Sequence, residues 1–184
     1  MCPTLHTIET DRLLLAPLDV SRLEEFVTLT ADPEVMRYWG SDGPFSRAVA
    51  ERSFADSLAR IDEHGFGRRW IVDKATRTGL GFTETKHFGT SCHDVSPDEV
   101  EIGWMLVQSA WGYGFATEAG AMIRDEAFVS LGLESIVAVH HPSNAASGRV
   151  MEKLGMEFER DVVTKTGWPY RFYRMTREQW SSEH

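Results

Sequence analysis

Apolar positions change period twice along the chain, and each change marks a new set of elements. Residues 12–18, RLLLAPL, are a short apolar run closed by a proline and read as a strand. In SRLEEFVTLT (21–30), Leu23, Phe26 and Val27 share one helical face, and Ser21 with Glu24 has the spacing of a capping box. ADPEVMRYWG (31–40) reads as a short helical piece with Pro33 near its start and Gly40 past its end. A longer helix runs from Ser46 to His64, with Phe54, Leu58 and Ile61 as its stripe and HGFG as its stop. Residues 68–88 then switch to strands, two of them around the turn KATRTG.

A polar loop (89–98) leads to a strand at 99–107. The segment 115–131 returns to helical spacing through Ala116, Ala119, Ile123 and Ala127. A strand at 135–141 and a helix at 142–155 follow, the latter with Pro142 early and Gly155 as its stop. The last part, 156–176, reads as a hairpin about KTGWP. The strand–helix–strand–helix order at 99–155 calls for a parallel strand pair joined by a right-handed crossover.

The chain has 184 residues without repeats or linkers, so a single domain is expected. At 42% hydrophobic it can bury a substantial core. A net charge of −9 argues against nucleic acid or an anionic membrane as partner and suits a cationic or amine substrate. Cys2 and Cys92 are the only cysteines, and neither has CxxC or CxxH spacing. No basic-then-apolar leader opens the chain, and no run approaches the roughly 20 apolar residues of a membrane span. A cytoplasmic location is therefore expected.

The segment SAWGYGFATEA (109–119) places Gly112 and Gly114 between a strand and a helix. A helix N-terminus exposes free N–H groups and a partial charge of about +0.5. Glycines just before it let a phosphate approach the backbone. The turn is either such a cradle or a tight turn without a ligand. Nucleotide motifs fit worse: GxxxxGK[ST] is absent, GYGFAT is not GxGxxG, and Glu134 precedes its strand where a ribose-binding acid would end it.

VEIGWMLVQSAWGYGFATEA followed by HHPSNAASGRVMEKLGM resembles the GNAT superfamily of N-acetyltransferases. The likeness is nearer to the group that acetylates ribosomal-protein N-termini, and ETDRLLLAPL and DPEVMRYWG resemble the same group. It covers roughly residues 8–180 and implies an α/β fold, a mixed central sheet of six or seven strands with helices on both faces. It further implies acetyl-CoA as co-substrate. The turn Trp111, Gly112, Tyr113, Gly114, Phe115, Ala116 and Thr117 would bind its pyrophosphate through backbone N–H groups. A bulged strand would pair its backbone near Leu106 and Val107 with the pantetheine arm, and Asn144 and Ser147 would lie near the arm and the thiol. The chain departs from its relatives at Gln108, Ala110 and Tyr113, where Pro, an aromatic and a basic or Gln residue are common.

Acetyl transfer to an amine needs a base, donors for the thioester oxyanion and an acid for the thiolate. Glu101 is the first base candidate. Strand alternation puts it with Glu99 and Gly103 on one face, and Ile102 with Trp104 on the other. It reads equally as a buried structural carboxylate or a substrate-binding one. Glu84 is the second candidate. Ser147 is the candidate acid or hydrogen-bond partner of the sulfur, and a helix-cap role is open to it and to Asn144. His87, His93, His140 and His141 lack metal-ligand spacing, so no metal is expected. Trp39, Trp70 and Trp104 read as core or as the lining of an acceptor pocket, and Arg68-Arg69 as a solvated strand start. The function expected is direct acetyl transfer from acetyl-CoA to a primary amine by a monomer or homodimer. The rivals are a catalytically inactive CoA-binding sensor and a nucleotide-binding enzyme.

Overall fold

Leu13 and Leu15 are fully buried and alternate with half-buried Leu14 and Ala16, so the first apolar run forms a strand with one face in the core. The structure, a computed structural model, describes residues 5–40, 43–89 and 91–182; Cys2 lies outside them. A two-residue strand, β1 (Ile8–Glu9), pairs antiparallel with β2 (Leu13–Pro17). Then come α1 (Leu23–Ala31), α2 (Pro33–Met36), α3 (Arg47–His64), β3 (Arg68–Asp73), β4 (Gly79–His87) and β5 (Val100–Leu106). The second half contains α4 (Phe115–Val129), β6 (Ser135–His140), α5 (Ala145–Lys153), β7 (Glu157–Val163), β8 (Pro169–Thr176) and α6 (Arg177–Ser182). The strands form one mixed sheet in the order β1-β2-β3-β4-β5-β6-β8-β7. It has eight strands where six or seven are expected, the added one being β1, too short to carry an apolar period. β5 and β6 are parallel, as the strand–helix–strand order requires.

The chain divides into two compact units. The first holds the residues up to Glu84 together with Trp104–Ala119. Its core gathers Phe26, Met36, Phe54, Trp70, Phe82 and Met105, all 5% exposed or less. At about 1.5–3 kcal/mol for each large apolar side chain removed from water, this cluster dominates the stability of the unit. Ser46 caps α3 by accepting from the Val49 N–H, and Gly65 closes it in a left-handed conformation. The Ser21–Glu24 capping box does not form. Asp19 accepts from the Ser21 N–H (2.8 Å) at a 3-10 turn ahead of α1, and Glu24 is drawn to Arg47 instead.

The second unit holds Thr85–Gly103 and the chain from Gly120 onward. Its core collects Phe88, Cys92, Val95, Val137, Val162 and Phe172. The polar loop after β4 is thus pinned from inside by Cys92 and Val95, and Cys92 forms a bridge with Thr164 next to the terminal hairpin. The closing helix α6 has no counterpart in the sequence reading. It is held by Trp180, whose indole N–H donates to Asp125 (2.8 Å) and whose ring stacks on Phe128. Helix α5 starts at Ala145 rather than at Pro142, because Asn144 takes the N-cap.

Candidate active site

Strand β5 does not keep its alternation to the end. Val100 and Ile102 are buried, but the next buried pair is Met105 and Leu106, so the phase slips at Gly103–Trp104 and the expected pairing of Ile102 with Trp104 on one face is lost. A one-turn 3-10 segment, residues 108–110, follows. It is closed by the Ala110 N–H donating to Val107 C=O (3.0 Å) and the Trp111 N–H to Gln108 C=O (3.1 Å). Ala110 is buried there, and the Gln108 amide donates to Asp32 Oδ2 (2.8 Å), the carboxylate that caps α2. The departures at 108 and 110 are therefore absorbed by local packing.

The Trp111 indole N–H turns back to Leu106 C=O (2.9 Å), and the Val107 N–H donates to Leu80 C=O (2.9 Å). Each of the two residues expected to meet a pantetheine arm thus has one backbone group engaged within the chain. Gly112 and Gly114 take φ of 83° and 81°, a region costly for residues with a Cβ. A Cβ on Gly112 would meet nothing within 4 Å. The first hydrogen bond of α4 runs from the Glu118 N–H to Gly114 C=O (3.0 Å), so the N–H groups of Phe115, Ala116 and Thr117 stand ahead of the helical ladder. The turn thus has the open backbone that an anion requires.

Sequence reading missed what holds this turn. Arg12, in the turn after β1, donates through Nε to Glu118 Oε2 (2.6 Å) and through Nη1 to Tyr113 C=O (3.0 Å), and its guanidinium lies 4.6 Å from the Phe115 ring centre. Thr10 donates its hydroxyl to the same carboxylate, and the Arg12 N–H adds a bond of 3.1 Å. Burial pushes the Glu118 carboxyl up, but the bonds from Thr10 and Arg12 outweigh it and hold the group below its ordinary range. The only earlier sign was that ETDRLLLAPL belongs to the same resemblance as the glycine turn.

The other expected residues lie in the second unit. The Glu101 side chain is 15% exposed, and Oε2 is 3.4 Å from Lys86 Nζ. Tyr170 stands close by: burial first, then the Glu101 charge, push its phenol up to about 12. Asn144 is the N-cap of α5, accepting from the Ser147 N–H (3.2 Å), so the amide of Ser147 serves the cap and its half-buried hydroxyl does not. His140 is buried with Nδ1 2.8 Å from His141 C=O, and burial pulls its pKa down. Among the described residues no three His, Cys, Asp or Glu side chains group as a metal site.

One expectation is overturned in the first unit, and one open alternative is decided. Arg68 and Arg69 are not a solvated strand start: they are 4% and 1% exposed. Arg68 Nε lies 2.9 Å from Glu84 Oε1, and the guanidinium lies over the rings of Phe26 and Phe82, 5.2 and 4.6 Å from their centres. The second base candidate is thus half of a buried ion pair. Trp70 is core and donates its indole N–H to Glu25 (3.0 Å), which removes it from the acceptor-lining set.

A mixed sheet in which a glycine turn leads a helix is the arrangement that the sequence resemblance implies for an acyltransferase. The family described as "Acetyltransferase (GNAT) domain" matches residues 12–157, and the chain belongs to it. An uncharacterized N-acetyltransferase, YoaA, of Bacillus subtilis (strain 168) is 30% identical over 166 residues, 89% of this chain and 91% of that protein. The FsC-acetyl coenzyme A-N(2)-transacetylase of Aspergillus fumigatus is 28% identical over 200 residues, covering 97% and 78%. The crystal structure of an acetyltransferase from Agrobacterium tumefaciens superposes with a TM-score of 0.80 at 27% identity, covering 94% of this chain and 95% of that one. The protein is an acyltransferase enzyme. No helix among the described residues is long and apolar enough to cross a membrane.

Proposed function

We propose that residues 8–180 act as one acetyltransferase domain that moves acetyl from acetyl-CoA to a primary amine by direct attack. The observation that carries this is the turn at 112–117, with two left-handed glycines ahead of α4 and an open approach at Gly112. The donor supplies an activated acyl group. The neutral amine nitrogen forms the new C–N bond at the thioester carbonyl, the C–S bond breaks, the ammonium proton passes to a base, and the thiolate takes up a proton.

Glu101 accepts that proton directly or through water. Its carboxylate, 3.4 Å from Lys86 Nζ, also attracts an arriving ammonium. The Ser147 hydroxyl, not used by the cap, serves as hydrogen-bond partner of the sulfur. The N–H groups of residues 112–117 take the diphosphate, and the backbone near Leu106 and Val107 meets the pantetheine arm. The A. fumigatus relative, whose name states acetyl-CoA as donor, supports the choice of co-substrate. Membership of a family of named N-acetyltransferases favours catalysis over a silent CoA sensor. The acceptor is a protein N-terminal amine or a small amine, and the likeness to the ribosomal-protein group puts Ala- or Ser-starting peptides first in a screen. A reducing cytoplasmic setting accords with the buried free Cys92.

The test is calorimetry with CoA on wild type and Gly114→Asp, followed by a coupled assay with acetyl-CoA and a panel of amines. Gly114→Asp forces a side chain onto a left-handed glycine of the turn, with its Cβ 3.6 Å from Arg12 Nη2, and adds a negative charge beside the cradle, so affinity should fall at least about tenfold, roughly 1.4 kcal/mol. Unchanged CoA affinity in that folded variant would place the cofactor elsewhere.

A further inference from the structure

The cradle is built by an arginine about a hundred residues away in sequence. We propose that Arg12 is a positioning residue for the diphosphate, doing two things that no residue of the turn does for itself. This rests on reading 112–117 as the diphosphate cradle.

The first is geometric. Arg12 Nη1 donates to Tyr113 C=O (3.0 Å). The peptide bonds of the described residues are trans, so the carbonyl of Tyr113 and the N–H of Gly114 point in opposite directions. Tying the carbonyl to Arg12 turns the Gly114 N–H away from the guanidinium and fixes the second of the two peptides lying between the left-handed glycines. Those glycines make the segment the most freely rotating part of the turn, so an external tether matters more here than in the helix behind it. The Phe115 ring beneath the guanidinium, 4.6 Å from it, limits how far the tether can swing.

The second is electrostatic. Glu118 occupies the first turn of α4. A bare carboxylate there suits the helix but repels a diphosphate arriving at the same helix end. Arg12 meets it with Nε at 2.6 Å and Nη2 at 2.5 Å, so the anion that would compete with the ligand is neutralised inside the structure. Arg12 thus keeps the Glu118 charge from facing the ligand. Its Nη2 lies 3.6 Å from where a Gly114 Cβ would be.

The experiment is calorimetric titration of the full chain with CoA for Arg12→Ala, Arg12→Lys, the double variant Arg12→Ala/Glu118→Gln, and Gly114→Asp as the control for the cradle. Arg12→Ala should raise Kd about tenfold or more, with kcat at saturating acetyl-CoA within about twofold of wild type, because the interaction is uniform binding. Removing the stranded charge in the double variant should recover about threefold or more of that loss, a relief that a merely structural arginine would not give. Arg12→Lys keeps the charge but not the two-sided fork, so its Kd should rise by an intermediate factor, and it carries the test if Arg12→Ala does not fold. Wild-type affinity in Arg12→Lys and Arg12→Ala beside a weakened Gly114→Asp would overturn the role of Arg12 alone. Absence of relief in the double variant would overturn its electrostatic half. Wild-type affinity in Gly114→Asp would remove the cradle on which the proposal rests.

Discussion

Glu84 offers the sharpest separation of structure from chemistry, because the sequence makes it a catalytic candidate and the fold makes it a buried partner. Arg68 and Glu84 are each 4% exposed. Their closest approach is 2.9 Å, a second contact is 3.4 Å, and Arg60 adds a more distant charge at 3.8 Å. At an effective dielectric of about 20, such a pair attracts by roughly 4–6 kcal/mol, most of which repays desolvation. The Arg68 Nε–H is not aligned on any acceptor despite the short distance, so charge more than hydrogen-bond geometry holds the pair. Glu84→Gln leaves Arg68 buried and unneutralised, a change that typically costs about 3–5 kcal/mol. The rings of Phe26 and Phe82 still face the guanidinium and offset about 1 kcal/mol. The net loss should be about 2–4 kcal/mol, which for a chain of this length lowers Tm by about 4–16 °C. The double variant Arg68→Met/Glu84→Leu should recover most of it, since apolar replacement of a buried pair is often neutral or better. Melting by circular dichroism and kcat per folded molecule are the two readouts. A Tm within about 1 °C of wild type would refute the energetic argument. A fall in kcat of about a hundredfold at unchanged Tm would return Glu84 to the role of base.

Gly81 holds φ at 135°, and a Cβ there would lie 2.0 Å from Met105 C=O; Gly81→Ala should therefore cost about 2–5 kcal/mol, read by denaturant midpoint, and a midpoint equal to wild type would show that β4 can move aside. Glu118 is held below the ordinary glutamate range, so its contribution to stability is present above that range and is lost as pH falls through the lower folded value. Acid titration of Tm should show that limb in wild type and not in Glu118→Gln. Glu101→Gln keeps size and removes basicity: as the base, its loss should lower kcat/KM by about 10²–10⁴ and shift the acidic limb of the pH profile. A rise only in the amine KM would leave Glu101 as an ammonium-binding group, and wild-type kinetics would dismiss both roles.

Elements with their own period and punctuation were legible in the sequence. Helix α3 has its stripe, a serine cap and a closing glycine, and the structure bounds it within a residue of the reading. Elements that exist because of a distant partner were not. The two-residue β1 has no period of its own and is a strand because Leu14 and Leu15 pair with it. Helix α6 is held by Trp180 against residues of α4 roughly fifty positions earlier. The Ser21–Glu24 spacing is a genuine cap signal that lost to Asp19, an equally good cap one turn earlier.

The site divides along the same physical line. The backbone of the turn was readable because Gly112 and Gly114 are a local signal: only glycine adopts those angles without strain. Charged side chains were not readable, because a sequence lists charges without saying which are paired. Arg68-Arg69 looked solvated since arginine is seldom buried, yet Glu84 and two aromatic faces, 14 to 42 residues away, cover Arg68. Glu118 stands in the first turn of α4, where an acid suits the helix without any partner. With Arg12 and Thr10 folded onto it, it becomes the anchor through which the N-terminal strands grip the glycine turn. Both pairs bind an acid to a base across a long stretch of chain. They differ in setting: the Arg68–Glu84 pair is shut in the core, which points to a role in stability, whereas Arg12 is about half exposed and, on our proposal, acts on a ligand through the turn it ties. That contrast is what assigns stability to the first pair and affinity to the second.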